Sequence, residues 1–184
     1  KTGDSNNQTL CPLARLGSPN GNSFVGRIRG LKVYDRVFSA KEIALAAGKE
    51  CPENLAARCP VTASASDTPY GLTPEKITDE DPGSRWSSGV TSAEQWLAID
   101  LGKPVEFNTV AISWETAVAK KLRVEASDDG MAWRAVAAVD VAGANSSVSF
   151  PTLGARHVRL VMNQPATQWG YSIWGVEVMK RKMN

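Results

Sequence analysis

From about residue 61 onward, apolar and polar residues alternate with a period of two, broken at short intervals by turn residues. Leu122-Arg-Val-Glu-Ala-Ser127 alternates cleanly and runs into Asp128-Asp-Gly130, the pattern of a strand entering a hairpin-type turn. Trp96-Leu-Ala-Ile-Asp-Leu101 is a second strand of this kind. Val105, Phe107, Val110, Ile112 and Trp114 mark a longer one, and the parity slip between 107 and 110 predicts a β-bulge. Arg134–Val141, His157–Met162 and Ile173–Met179 complete the set. Six short strands with almost no helix signal between them predict an all-β fold, an antiparallel β-sandwich or jelly roll.

The first third of the chain has a different pattern. Residues 1–23 are polar and loop-like, and the stretch FVGRIRGLKVYDR after them reads as a strand with glycine interruptions. Ser39-Ala-Lys-Glu42 forms a capping box before Ile43, Ala44, Leu45, Ala46 and Ala47, with Gly48 as the stop, which predicts a short helix. The expected organisation is therefore a strand-plus-helix fragment over 1–50, a linker over 51–59 with Cys51, Cys59 and two prolines, and a β-domain over 60–184.

Composition narrows the function classes. Of 184 residues, 42% are hydrophobic and 22% charged, so a packed core can form. The formal net charge is only +2, and the basic residues are scattered except for Lys180, Arg181 and Lys182, a solvated tail; no nucleic-acid partner is expected. No apolar run approaches the about 18 residues of a transmembrane segment. The chain opens on Lys1 without a leader-like core, as expected of a processed or excised piece. Cys11, Cys51 and Cys59 make an odd set without zinc-site spacing, and a Cys51–Cys59 bridge would staple the linker while leaving one thiol over. Asn7-Gln-Thr9 and Asn145-Ser-Ser147 have the form of glycosylation sequons.

The stretch ITDEDPGSRWSS is the densest in chemistry-bearing residues. Asp79 and Asp81 flank Glu80 on a Pro-Gly turn, where carboxylates are alike and solvated, unlike a catalytic pair with separated pKa values. Val90 stands where an EF-hand loop needs its last Glu, so that motif is excluded. A turn carrying Asp79, Asp81 and Ser84 can still wrap a Ca²⁺ ion, which takes about six to eight oxygens. No nucleophile elbow, zinc-protease motif or phosphate loop occurs, so an enzyme is not expected.

Four motifs in order carry a family resemblance: Asp79-Glu-Asp-Pro-Gly-Ser-Arg-Trp86, Gln95-Trp-Leu-Ala-Ile-Asp-Leu-Gly102, Ser127-Asp-Asp-Gly130 with Trp133, and Gly170-Tyr-Ser-Ile-Trp-Gly-Val-Glu-Val178. Over about residues 60–182 the chain resembles a discoidin, or coagulation-factor C-type, domain, and within that fold the family 32 carbohydrate-binding modules of secreted glycan-active enzymes. Residues 23–47 resemble more weakly the C-terminal end of a laminin-G-like jelly roll, whose remainder another chain or an upstream domain would supply.

The discoidin resemblance implies a structural Ca²⁺ held by the Lys76 carbonyl, Asp79, Asp81, Ser84 and Glu177, with Glu80 where the family usually has Gly. It implies a glycan site with Arg85 and Glu115 bonding hydroxyls, Trp169 and Tyr171 stacking, and Tyr70 and Trp114 as further aromatic platforms at strand–loop junctions. Trp86, Trp96 and Trp133 fall at core positions, and Trp174 is undecided between core and site. His157, the only histidine, reads as an ordinary strand residue, so a galactose site built on a loop histidine is in doubt. The expected function is a non-catalytic carbohydrate-binding module of a larger secreted, periplasmic or cell-surface enzyme or adhesin. The alternative within the same fold is a membrane- or protein-binding adhesion module, with Tyr70 and Leu72 as its apolar spikes.

Overall fold

The computed structural model describes residues 53–182. The predicted 1–50 fragment, with its strand and helix, and Cys11 and Cys51 lie outside the described residues. Seven strands follow: β1 (Val61–Ala63), β2 (Trp86–Ser87), β3 (Gln95–Trp114), β4 (Ala119–Ser127), β5 (Arg134–Asp140), β6 (Asn145–Pro165) and β7 (Ser172–Met179). Single 3-10 turns span Thr68–Tyr70 and Pro74–Ile77. Every pairing is antiparallel, in the order β2-β7-β3-β6-β4-β5, with β1 on β3.

β3 joins two of the predicted strands into one of 20 residues. Its ladder with β6 breaks between Asp100 and Val105 and again between Phe107 and Thr109, the second break being the bulge that the parity slip predicts. At these breaks the sheet folds over itself into two layers. The first holds β1, the start of β3, the end of β6, β4 and β5; the second holds the start of β6, the end of β3, β7 and β2. Leu97, Ile99, Leu122 and Leu160 of the first layer and Val110, Ile112, Val176 and Val178 of the second share one buried cluster. Phe107 and Phe150 meet in it edge to face, centroids 5.9 Å apart. Each such aliphatic or aromatic side chain contributes about 1.5–3 kcal/mol by leaving water.

Trp86 is fully buried, as expected, but Trp96 and Trp133 are only half-buried. Leu97 and Ile99 take the inward positions of β3, so alternation sends Trp96 to the outer face. Trp133 lies in the turn before β5, with the Arg159 guanidinium 4.2 Å from its ring centroid. Residues 54–59, expected as linker, dock on β7: Leu55 N–H donates to the Val178 carbonyl at 2.8 Å, Asn54 Oδ1 accepts from Val178 N–H at 3.0 Å, and Ala56 enters the core. Cys59 carries a free thiol that donates to the Leu55 carbonyl at 3.4 Å, so it is not bridged. Burial, with the charge of Asp100, pushes that thiol's pKa up.

The sandwich has two ends. At one, Ala119 faces Pro165 and Trp114 faces Ile173; at the other, Ser127 faces His157 and Thr109 faces Met179. The chain enters the domain beside Val178 and leaves it at Arg181, whose N–H bonds Asn108 Oδ1 at 2.9 Å. Both passages are at the second end. The loops with candidate ligand residues are at the first.

Candidate functional site

Three loops at the first end lock together through small residues and backbone. Asp67 N–H donates to the Ser87 carbonyl at 2.9 Å, and Trp86 Nε1 donates to the Ala65 carbonyl and Ser66 Oγ, both at 3.1 Å. Ser88 Oγ accepts from Tyr171 N–H at 2.9 Å. Gly170 has φ +78°, and a Cβ there would stand 2.2 Å from the Gly89 carbonyl, so only glycine lets the two loops meet. On these interlocked loops stand Tyr70, Val90 and Trp169, 79%, 75% and 61% exposed. Rigid backbone under exposed apolar side chains makes a preformed rim.

Arg85 and Glu115 come together beside this rim through one residue, Ser172. Arg85 Nη1 donates to Ser172 Oγ at 2.7 Å, that hydroxyl donates to the Trp86 carbonyl at 2.9 Å, and the Glu115 N–H donates to the Ser172 carbonyl at 3.0 Å. The Arg85 guanidinium also lies 5.8 Å from the Trp174 ring centroid. No direct ion pair joins Arg85 to Glu115 among the described residues. Burial pushes the Glu115 carboxyl up, but hydrogen bonds from the Thr116 hydroxyl and the Ala117 and Thr116 N–H groups, with the field of Arg85, outweigh it. Glu115 therefore sits below the ordinary carboxylate range and is ionised at neutral pH. The pair has separate acceptor and donor groups joined through Ser172, three residues after the exposed Trp169 in the chain.

Two expected platform residues are not at the surface. Trp114 is buried, its Nε1 bonded to Ser146 Oγ at 2.9 Å, because it occupies an inward position at the end of β3. Tyr171 is fully buried, so its ring cannot stack on a sugar. Its hydroxyl is the one buried side-chain polar atom without a partner among the described residues, and burial, followed by the charge of Glu94, pushes its pKa up. Sequence reasoning overlooked Ser172, which joins the pair, and Val90, whose signal was a lone apolar residue within the polar run SSGVTSAE.

The acidic turn closes on itself. Ser84 Oγ donates to Asp79 Oδ2 at 2.6 Å and lies 3.4 Å from both the Lys76 and Asp81 carbonyl oxygens; Asp81 N–H donates to Asp79 Oδ1 at 2.9 Å. Glu80 adopts φ +65°, the left-handed conformation its place on the turn requires. Oxygens of the expected cation ligands Lys76, Asp79 and Asp81 thus converge on that of a fourth, Ser84 Oγ, and oxygen is the donor type a hard cation takes. Glu177 is exposed on β7, opposite Ala111, and makes no bond to the other four. No group of three His, Cys, Asp or Glu side chains placed for a metal occurs among the described residues.

The pattern of the F5/8 type C domain family matches residues 60–176. Chitosan-binding module 2 of a chitosanase/glucanase from Paenibacillus sp. IK-5, solved in complex with chitotriose, is 30% identical, with a TM-score of 0.66 over 68% of this chain and 99% of that one. Chitosan-binding module 1 of the same enzyme is 29% identical, with a TM-score of 0.65 over 68% and 98%. The family 32 carbohydrate-binding module of NanJ from C. perfringens, in complex with galactose, shares the fold at 19% identity and a TM-score of 0.58, over 66% and 93%. No curated protein matches the chain significantly.

Proposed function

Because the chain belongs to the F5/8 type C, or discoidin, family, and its fold is that of carbohydrate-binding modules, we propose that it is a non-catalytic glycan-binding module. The observation that carries this reading is the knot of Arg85, Glu115 and Ser172 at the end of the sandwich whose loops expose Trp169. A pyranose presents a C–H face and a rim of hydroxyls, and a flat indole next to fixed donors and acceptors matches both. Amino-sugar oligosaccharides are the first class to test, since the ionised Glu115 can also accept from an ammonium and the chitosan-binding relatives align over this region. As part of a larger secreted, periplasmic or cell-surface enzyme or adhesin, such a module would raise the partner domain's local concentration on its polymer.

The decisive experiment is a glycan array followed by calorimetry with chitotriose, with an Arg85→Ala, Glu115→Ala double variant alongside. Binding weakened at least tenfold in the double variant supports the site. A silent array from folded protein overturns it.

We further propose that Lys76, Asp79, Asp81 and Ser84, joined by Glu177 after a side-chain rotation, hold a structural Ca²⁺ that ties this turn to β7. Supporting this is the convergence of oxygens on Ser84. Added calcium should raise Tm and a chelator reverse it, and Asp79→Asn should abolish the response; a Tm indifferent to calcium rules the ion out.

Tyr70, Val90 and Trp169 also favour a second reading, insertion of the rim into a lipid surface. Within five positions of these three in the chain stand Asp67, Glu75 and Glu94 but only one cation, Arg85, so flotation with anionic vesicles should fail if the glycan reading holds.

A further inference from the structure

The outer face of the first layer holds a groove of about 300 Å³, lined by Glu94, Lys121, Arg123, Asp140 and Asn163 above Val161 and Ala138. Strand register builds it in two rows. Trp96 on β3, Val161 on β6, Arg123 on β4 and Ala138 on β5 face one another in the first. Asn163, Lys121 and Asp140 form the second, with Glu94 joined at its end by an Asn163 Nδ2 hydrogen bond of 3.3 Å. The first row is the floor, apolar but for the Arg123 side chain. Val161, 4% exposed, is covered by its neighbours, and the groove opens over the small, exposed Ala138 of β5.

The second row is a polar wall whose bonds exchange easily. The Lys121–Asp140 pair, 3.0 Å long, has side chains 55% and 83% exposed, and such pairs hold by about 0–1 kcal/mol. Arg123 differs, being fixed by its 2.7 Å bond to Glu125. The groove's two carboxylates, Glu94 and Asp140, balance its two cations, Lys121 and Arg123. A site with a largely apolar floor, exchangeable hydrogen-bonding walls and no net charge suits hydroxyl-bearing sugar rings and adds no charge-dependent contribution to the binding of a longer chain.

The groove and the rim share two chain segments. The loop that bears Val90 ends at Glu94, and β6 passes from Asn163 through Pro165 into the loop that bears Trp169. The buried, unpartnered Tyr171 hydroxyl lies in the field of Glu94.

We infer that the groove between Trp96 and Asp140 is a second saccharide subsite, which takes the continuation of a glycan chain whose end is held at the rim. This rests on the glycan-binding reading and deepens it: the module reads chain length. The test compares chitosan oligosaccharides of three and six residues by calorimetry, on the intact chain and on a Lys121→Ala, Asn163→Ala variant; both changes are at exposed positions. The intact chain should bind the hexamer about tenfold tighter than the trimer. The variant should keep its trimer affinity and lose most of that gain, and salt should leave the gain unchanged. In parallel, backbone NMR shifts at Arg123, Ala138 and Asn163 should move with the hexamer and not with the trimer. Equal affinities for both lengths, or a gain that survives in the variant without shifts in the groove, overturn the subsite and leave the rim standing. Binding of neither sugar removes the rim reading and the subsite with it.

Discussion

Two arginines lie over tryptophan rings at opposite ends of the sandwich, and they are held in opposite ways. Arg159, 4.2 Å from the Trp133 centroid, also bonds Glu125 at 2.7 Å, and Glu125 accepts a second 2.7 Å bond from Arg123. Every member of that cluster is occupied by another. Arg85 lies farther from its ring, 5.8 Å from Trp174, and gives one hydrogen bond, to Ser172 Oγ. Its carboxylate neighbour Glu115 is turned into its own loop, on Thr116 and Ala117. A closed network stabilises the fold and leaves little to offer a ligand; an open one keeps donors and acceptors oriented with bonding capacity left over. The same residue types therefore form a closed network at one end and an open one at the other.

The sharpest way to separate the two is to break one carboxylate in each. Glu125→Ala leaves Arg123 and Arg159 facing each other over a buried position, and should cost about 2–3 kcal/mol in a urea titration with chitotriose affinity unchanged. Glu115→Ala should do the reverse, losing affinity while stability moves by less than about 1 kcal/mol. If both variants lose stability equally, the distinction fails.

Acid should act on the closed end. The Arg156 guanidinium, bonded to both oxygens of Asp100, holds that carboxyl at about 2, against an ordinary value of 3.8. Asp129, which accepts from the Ala132 and Met131 N–H groups and the Ser127 hydroxyl, is also held at about 2. Folded values below the unfolded ones stabilise the protein above about pH 4, and that contribution is lost as the pH falls toward 2. Tm should be flat near neutrality and drop across that window, less steeply in Asp100→Asn; a flat profile down to pH 2 would contradict these assignments.

Smaller effects test the first end. Tyr171→Phe removes a buried hydroxyl without a partner, so Tm should hold or rise by a degree or two, about 0.5 kcal/mol; a clear loss would reveal a bond to that hydroxyl. Glu80→Gly should gain up to about 1 kcal/mol, because its φ of +65° strains a side chain with a Cβ. No gain would mean that the Glu80 contact with Arg58, 3.7 Å apart, offsets the strain.

Much of the fold was legible because inward positions recur every second residue: Leu122, Val124 and Ala126 are inward and buried as their spacing says. The bulge before Thr109 was legible for the same reason. The first half of β6 was not. NSSVSFPTLG holds a proline and a glycine and reads as loop, yet it runs along the edge of the second layer, where a missing N–H is tolerated. At the site, Trp169 and Tyr70 are exposed on loops, and Arg85 and Glu115 both bond Ser172. Trp114 and Tyr171 are buried against expectation, since a charged or polar neighbour in sequence says nothing about which face of a strand an aromatic occupies. Ser172 escaped notice because a serine advertises no role until two loops meet on it.

The chain enters beside Val178 and leaves at Arg181, while the rim lies at the far end of the same strands. A ligand tugged at the rim against a chain held at either passage therefore draws tension along the strand axes. The β3–β7 ladder, six residue pairs long from Thr109–Met179 to Trp114–Ile173, then bears that pull in shear, with its hydrogen bonds strained side by side. Peeling them one after another would need a force applied across the strands, so the architecture resists hardest in the direction in which an anchored polymer would pull.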